Sequence, residues 1–123
     1  MPPQMIRITP ILRMFDAAKA RAFYLDFLGF TVAFEHRFEP DLPLYMRVAF
    51  GAATIDLSEH HGDGSPGSKI IIAMQGIEDY QRLLLAKRYG YARPGLQKQD
   101  LGETTMTIAD PFYNQIVFSE PTT

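Results

Sequence analysis

The chain of 123 residues contains no cysteine and no tryptophan. Without thiols there is no disulfide, no thiolate metal site and no cysteine nucleophile, a usage that fits a reducing cytoplasm. No apolar run approaches the roughly 18 residues that a membrane-spanning helix needs. The first residues lack the charged-then-apolar pattern of a secretory leader, so a cytoplasmic chain with no membrane partner is the expectation. Basic clusters are missing too. Lys and Arg number 12 against 14 Asp and Glu, a net charge of −2, which argues against a nucleic-acid partner. There is no GxSxG elbow to present a serine nucleophile. The glycine-rich stretch Gly62–Gly67 lacks the Lys-Ser/Thr of a phosphate loop. What is present is an apolar content of 46%, enough in a chain of this length for a single domain with its own core.

The chain also repeats itself. Ile55-Asp56-Leu57-Ser58-Glu59-His60 is echoed by Ile116-Val117-Phe118-Ser119-Glu120-Pro121, 61 residues on. Ile11-Leu12-Arg13-Met14 returns as Ile71-Ile72-Ala73-Met74 after 60, and Leu28-Gly29-Phe30 as Tyr89-Gly90-Tyr91 after 61. Three echoes in one order at nearly one spacing indicate a duplicated half.

Periodicity fills in the halves. Ile6, Ile8, Leu12 and Met14 alternate with Arg7, Thr9 and Arg13, a strand interrupted by Pro10, which marks an edge or a change of partner. Asp16 is placed to cap a helix, whose apolar stripe is Ala20, Phe23, Tyr24, Phe27 and Leu28; Gly29 closes it. Strand alternation then predicts Val32, Phe34, His36 and Phe38 on one face, with Ala33, Glu35 and Arg37 on the other. Leu44, Met46, Val48 and Phe50 alternate with Tyr45, Arg47 and Ala49, and Ala53, Ile55 and Leu57 with Thr54, Asp56 and Ser58. After a loop at 60–67 the order recurs. Lys69 to Met74 is a strand whose isoleucine run suggests burial on both faces. A helix comes next, from Ile77 through Tyr80, Leu83 and Leu84, then a turn from Tyr91 to Gly95. A hairpin of Leu96–Leu101 and Glu103–Ala109 precedes a last strand, Gln115–Glu120. The expected fold is α+β, one domain of two βαβββ modules, about residues 5–61 and 68–121.

With Phe23-Tyr24, Leu28-Gly29-Phe30 and Asp110-Pro111 set in that order, the chain resembles the vicinal oxygen chelate superfamily: glyoxalase I, the extradiol dioxygenases and the bleomycin-resistance proteins. Thr9-Pro10-Ile11-Leu12 and Asp110-Pro111 with Asn114 bring it nearest the bleomycin-resistance branch. The resemblance implies a homodimer with ligand clefts at module junctions, the first strand crossing between subunits at Pro10. In the metal-dependent members, ligands sit on the first and last strand of each module. Those positions here are Thr9, Asp56, Lys69 and Val117, a donor set that cannot hold a divalent ion, so no metal cofactor is expected there. Glu59-His60-His61-Gly62-Asp63 offers other donors, but neighbours on an extended chain point apart, and a solvated loop is the simpler reading.

No catalytic set is evident. Asp56 and Glu59, three apart on a strand, face opposite sides and make no carboxylate pair. The resemblance implies instead a small-molecule partner, bleomycin-like or otherwise planar, held without being transformed. Phe34 and Phe38 stand where the family stacks aromatic rings on its ligand. The polar faces of the strands add Tyr45, Arg47, Asp56, Ser58, Lys69, Thr105 and Thr107, with His60 at the rim. Ile71 and Leu101 stand where drug-binding relatives carry tryptophan. The alternative is a glyoxalase- or dioxygenase-like enzyme with an atypical metal site at His60 or His61.

Overall fold

The computed structural model describes residues 1–90 and 92–122. They form β1 (Ile11–Arg13), α1 (Ala17–Ala20, continued as a π-helix over Arg21–Phe27), β2 (Thr31–His36), β3 (Tyr45–Phe50), β4 (Ala53–Ser58), β5 (Lys69–Ala73), α2 (Ile77–Ala86), β6 (Gln97–Lys98), β7 (Thr104–Ala109) and β8 (Gln115–Glu120). Two four-stranded sheets result, ordered β1-β4-β3-β2 and β5-β8-β7-β6. In each, the first strand runs parallel to the last and the other pairs are antiparallel. This is the expected α+β fold of two βαβββ modules. The duplication extends to single bonds. Met14 N donates to Ser58 O at 3.0 Å, and Met74 N to Ser119 O at 2.8 Å. Ile11 lies opposite Asp56, and Ile71 opposite Val117.

Each sheet buries one face. Leu12, Met46, Val48, Ile55 and Leu57 from the first join Met106, Ile108, Ile116 and Phe118 from the second in a single apolar cluster. Helix α1 supplies the predicted stripe Ala20, Phe23, Tyr24, Phe27 and Leu28, every member buried. Asp16 Oδ1 caps it by accepting from Lys19 N at 3.0 Å, satisfying a donor that the first turn leaves free. Gly29 ends it at φ +88°, a conformation that a side chain would resist. Contacts from the second module lock its far end. Lys87 Nζ donates to the carbonyls of Asp26 and Phe27 at 2.9 and 2.8 Å, and the Tyr80 hydroxyl to Leu28 O at 2.6 Å. The Tyr89 ring stacks on Phe27 at 4.6 Å.

Four expectations need correction. The first strand is only Ile11–Arg13, not Ile6–Met14. Pro10 has no N–H to extend the ladder, although its carbonyl accepts from Asp56 N at 2.9 Å. Before it, Met5, Ile6 and Ile8 stand 90% or more exposed. Second, β5 is not buried on both faces. It is an edge strand, with Lys69, Ile71 and Ala73 exposed. Third, Val32 and Phe34 do not share a face. Val32 pairs with Val48 and Phe34 with Arg47, so Ala33 is an extra residue in the ladder, and such a bulge reverses the facing of the residues beyond it. Fourth, β2 ends at His36, so Phe38 lies past its end. The predicted turn from Tyr91 begins outside the described residues, as does the third position of the Tyr89-Gly90-Tyr91 echo.

Candidate functional site

The face of the first sheet turned away from the core carries the polar residues of the alternating strands. Strand registers place Phe34 beside Arg47, Arg47 beside Asp56, Tyr45 beside Ser58, and Arg13 beside Ser58. Met46, Val48, Ile55 and Leu57 occupy the intervening positions and are drawn into the core, which fixes the outward set by the period of two.

At its centre is a closed group. Arg47 Nε donates to Asp56 Oδ1 at 2.6 Å and its Nη2 to Oδ2 at 3.1 Å. The Tyr45 hydroxyl also donates to Oδ2. The guanidinium lies 5.0 Å from the centre of the Phe34 ring, within cation–π range. The Phe34 and Tyr45 rings are 6.3 Å apart and within 13° of parallel. Burial works against ionisation of Asp56. The hydrogen bonds from Arg47 and Tyr45, with the charges of Arg47 and Arg7, outweigh it and hold the carboxyl below its usual range. Burial, followed by the hydrogen bond to Asp56 and its charge, pushes the Tyr45 phenol up to about 12. At neutral pH the group is therefore a carboxylate, a guanidinium and an uncharged phenol.

Of the other residues singled out in the sequence, Ser58 lies beside this group. It is fully buried and donates to Asp63 Oδ2 at 2.9 Å, while accepting from His60 N at 3.0 Å. His60 reaches the rim through its backbone, its carbonyl accepting from Arg13 Nη1. Phe38 packs edge-on against His36 at 4.6 Å, off the strand that holds Phe34. Lys69, Thr105 and Thr107 lie on the corresponding open face of the second sheet, in register with Gln115, Ser119 and Val117. Thr105 Oγ1 accepts from Gln99 Nε2 at 2.8 Å.

Two residues of this region, Arg13 and Arg7, escaped the sequence reading as site candidates, and a third, Asp63, stood out there only as a donor of the 59–63 loop. Arg13 is buried, with its guanidinium 4.8 Å over Phe15. Alternation with Leu12 and Met14 was a usable signal for it. Arg7 alternates with Ile6 and Ile8 in the sequence but lies outside any strand, and Asp63 reaches the site from the loop after β4. Between the modules lies an apolar cavity of about 510 Å³, with Ile8, Pro10, Thr54 and Ile70 to Ala73 in its walls.

A divalent ion does not fit the strand positions where related enzymes bind one. Thr9 Oγ1 is engaged with Thr54 Oγ1 at 3.2 Å. Asp56 has its oxygens committed to Arg47 and Tyr45, and Lys69 and Val117 offer no anionic donor. In the following loop, Glu59 Oε1 accepts from Leu44 N at 3.0 Å and Asp63 is held by Ser58. Among the described residues no three His, Asp or Glu side chains gather as metal ligands.

Comparison with known proteins agrees with this architecture. The model of a family described as "Glyoxalase superfamily protein" matches residues 4–123. No curated protein matches the chain. Among solved structures, a bleomycin-binding protein complexed with bleomycin is similar at TM-score 0.74 and 19% identity, over 96% of this chain and 100% of that one. A bleomycin resistance determinant encoded on a transposon gives 0.76 and 19%, over 97% and 100%. A member of the glyoxalase/bleomycin resistance protein/dioxygenase superfamily from Sphaerobacter thermophilus gives 0.70 and 18%, over 94% and 98%.

Proposed function

Since the chain belongs to the glyoxalase superfamily, we propose that it is a non-catalytic binder, holding a small planar molecule of antibiotic type against the Phe34–Tyr45–Arg47–Asp56 face. The observation that carries this reading is the fate of Asp56. The one carboxylate at a metal-ligand position of the family is closed off by Arg47 and Tyr45. What remains exposed beside it is an aromatic ring, Phe34. An offset ring contact with a planar ligand contributes about 0.5–1.5 kcal/mol beyond burial. Sequestration requires affinity alone, with no stabilisation of a transition state. One structural relative is a complex with bleomycin, which supports the same use of the fold.

The proposal includes a homodimer in the cytoplasm. Supporting the dimer is the stretch before Pro10, whose Met5, Ile6 and Ile8 stand open to water, an apolar edge suited to a second copy. Sedimentation at micromolar concentration is expected to give a dimer, and a monomer there removes that part of the proposal. For the binding itself, a thermal-shift screen of bleomycin and small planar compounds is expected to find at least one that raises the melting temperature. That compound should be recovered chemically unchanged, at no more than one per chain. Many turnovers per chain, abolished by a chelator and restored by a divalent metal, would replace the binder with a metalloenzyme acting through His60 or His61.

A further inference from the structure

We infer that the ligand of this face is an anion, a planar aromatic carboxylate or its charge equivalent; the inference rests on the binder reading above. It comes from which hydrogen-bonding atoms the central group leaves open. Asp56 presents almost nothing outward, since its side chain is 3% exposed and three of its roughly four acceptor sites are filled. Its Oδ1 takes Arg47 Nε, and its Oδ2 takes both Arg47 Nη2 and the Tyr45 hydroxyl. Arg47 spends only part of its fork in this way, since a guanidinium carries five N–H donors. Its Nη1 donates to no described residue, and its side chain keeps 26% of its exposure. The carboxylate is thus turned inward and the guanidinium presents its free edge outward.

The surrounding charges have the same bias. Arg7 acts on Asp56 from the chain before Pro10. Arg13, beside Ser58 on the next strand, has a backbone carbonyl and the Phe15 ring for partners, and no carboxylate among the described residues. The opposing groups are Asp56 itself, closed by Arg47, and Asp63, which accepts from Ser58 and whose charge reaches Tyr45. Three guanidinium groups thus face two carboxylates. An anion approaching Arg47 Nη1 gains charge-assisted hydrogen bonds, and an attached flat ring meets Phe34 and Tyr45, whose planes already agree to 13°. A planar cation meets the same rings but faces the Arg47 guanidinium, and the Asp56 carboxylate that could offset it is only 3% exposed.

Isothermal titration with three probes of one shape tests this: 2-naphthoate, neutral 2-naphthamide and cationic 2-naphthylmethylammonium. The naphthoate is expected to bind about tenfold or more tightly than either of the others. The advantage should vanish in the double variant R47Q/D56N, which removes both charges at nearly constant volume and so leaves no buried carboxylate unpaired. Arg21→Gln, which breaks an exposed pair with Glu35, should leave the preference intact. Equal binding of all three, or preference for the cation, overturns the anionic class and leaves a planar binder standing. Absence of binding by any of the three at millimolar concentration overturns the binder reading together with this one.

Discussion

Asp110→Ala is expected to destabilise the fold by about 3–5 kcal/mol, a large part of the stability of a domain this size. The carboxylate is buried and receives four donors. Oδ1 takes Phe112 N and Asn114 N, each at 2.8 Å, and Oδ2 takes the Tyr24 hydroxyl at 2.6 Å and Asn114 Nδ2 at 2.9 Å. Asn114 Nδ2 also donates to Arg13 O at 2.9 Å, and its Oδ1 accepts from Ser68 N at 3.1 Å. One turn of the second module is thereby fastened to the helix and first strand of the first. Alanine leaves several buried donors without acceptors, each costing about 1–3 kcal/mol when unmet. Asparagine should cost less than alanine, since its oxygen can still serve the two backbone N–H groups, although its amide then opposes that of Asn114. Tyr24→Phe should cost least, because it removes a single donor and keeps the ring in the core. Urea midpoints at constant slope measure all three. A loss below about 1 kcal/mol for Asp110→Ala would show that this polar junction contributes little to holding the modules together.

That junction was partly legible in the sequence. Asp110-Pro111 and Asn114 stood out as a motif, and Tyr24 as a member of the helical stripe, but nothing linear connects residues 24 and 110. The duplication was more accessible, because equivalent strands in equivalent registers keep equivalent spacings. The offsets of 60 and 61 reappear as the bonds of Met14 and Met74 to the paired serines. Alternation correctly separated Tyr45, Arg47 and Asp56 from Met46, Val48 and Ile55, since β3 and β4 pair without a slip. The same reasoning failed in β2. Val32, Ala33 and Phe34 are all apolar, so an inserted residue leaves no mark on the pattern, and only the pairing with β3 exposes the bulge. It failed again in β5, because an isoleucine run cannot tell a central strand from an edge; strand order is a property of the whole sheet. The π-helical turn of α1 was hidden as well. Its apolar stripe suits an α-helix equally, and the difference is carried by backbone bonds such as Leu28 N to Phe23 O at 2.9 Å.

The site makes its own prediction through Tyr45. In Asp56→Ala the phenol should titrate lower than the value of about 12 in the wild type. Burial and the more distant Asp63 charge remain in the variant, but the hydrogen bond and the charge of Asp56 that oppose ionisation are gone, while Arg47 still favours the phenolate. Absorbance near 295 nm tracks the change, with Tyr45→Phe identifying the contribution of this ring. The consequence for stability has a definite sign on each side of neutrality. A phenol whose folded pKa is raised contributes stability that is fully present below about 10, its unfolded value, and is lost as the pH rises through 12. Tyr24, raised by burial and then by the Asp110 charge, and Tyr80, raised by burial, act in the same direction. The wild-type chain should therefore weaken steeply in alkali, and Asp56→Ala should lose the part of the Tyr45 share that comes from Asp56. On the acid side the folded pKa of Asp56 is depressed. Its contribution is present above the unfolded value of about 3.9 and disappears as the pH falls through the folded one. Wild type should accordingly be the more stable protein at pH 7, with the gap narrowing once the pH drops below about 4. A gap that stays constant from pH 7 to pH 3, or a Tyr45 titration unmoved by the substitution, would mean that Asp56 is not the acceptor on which this face is built.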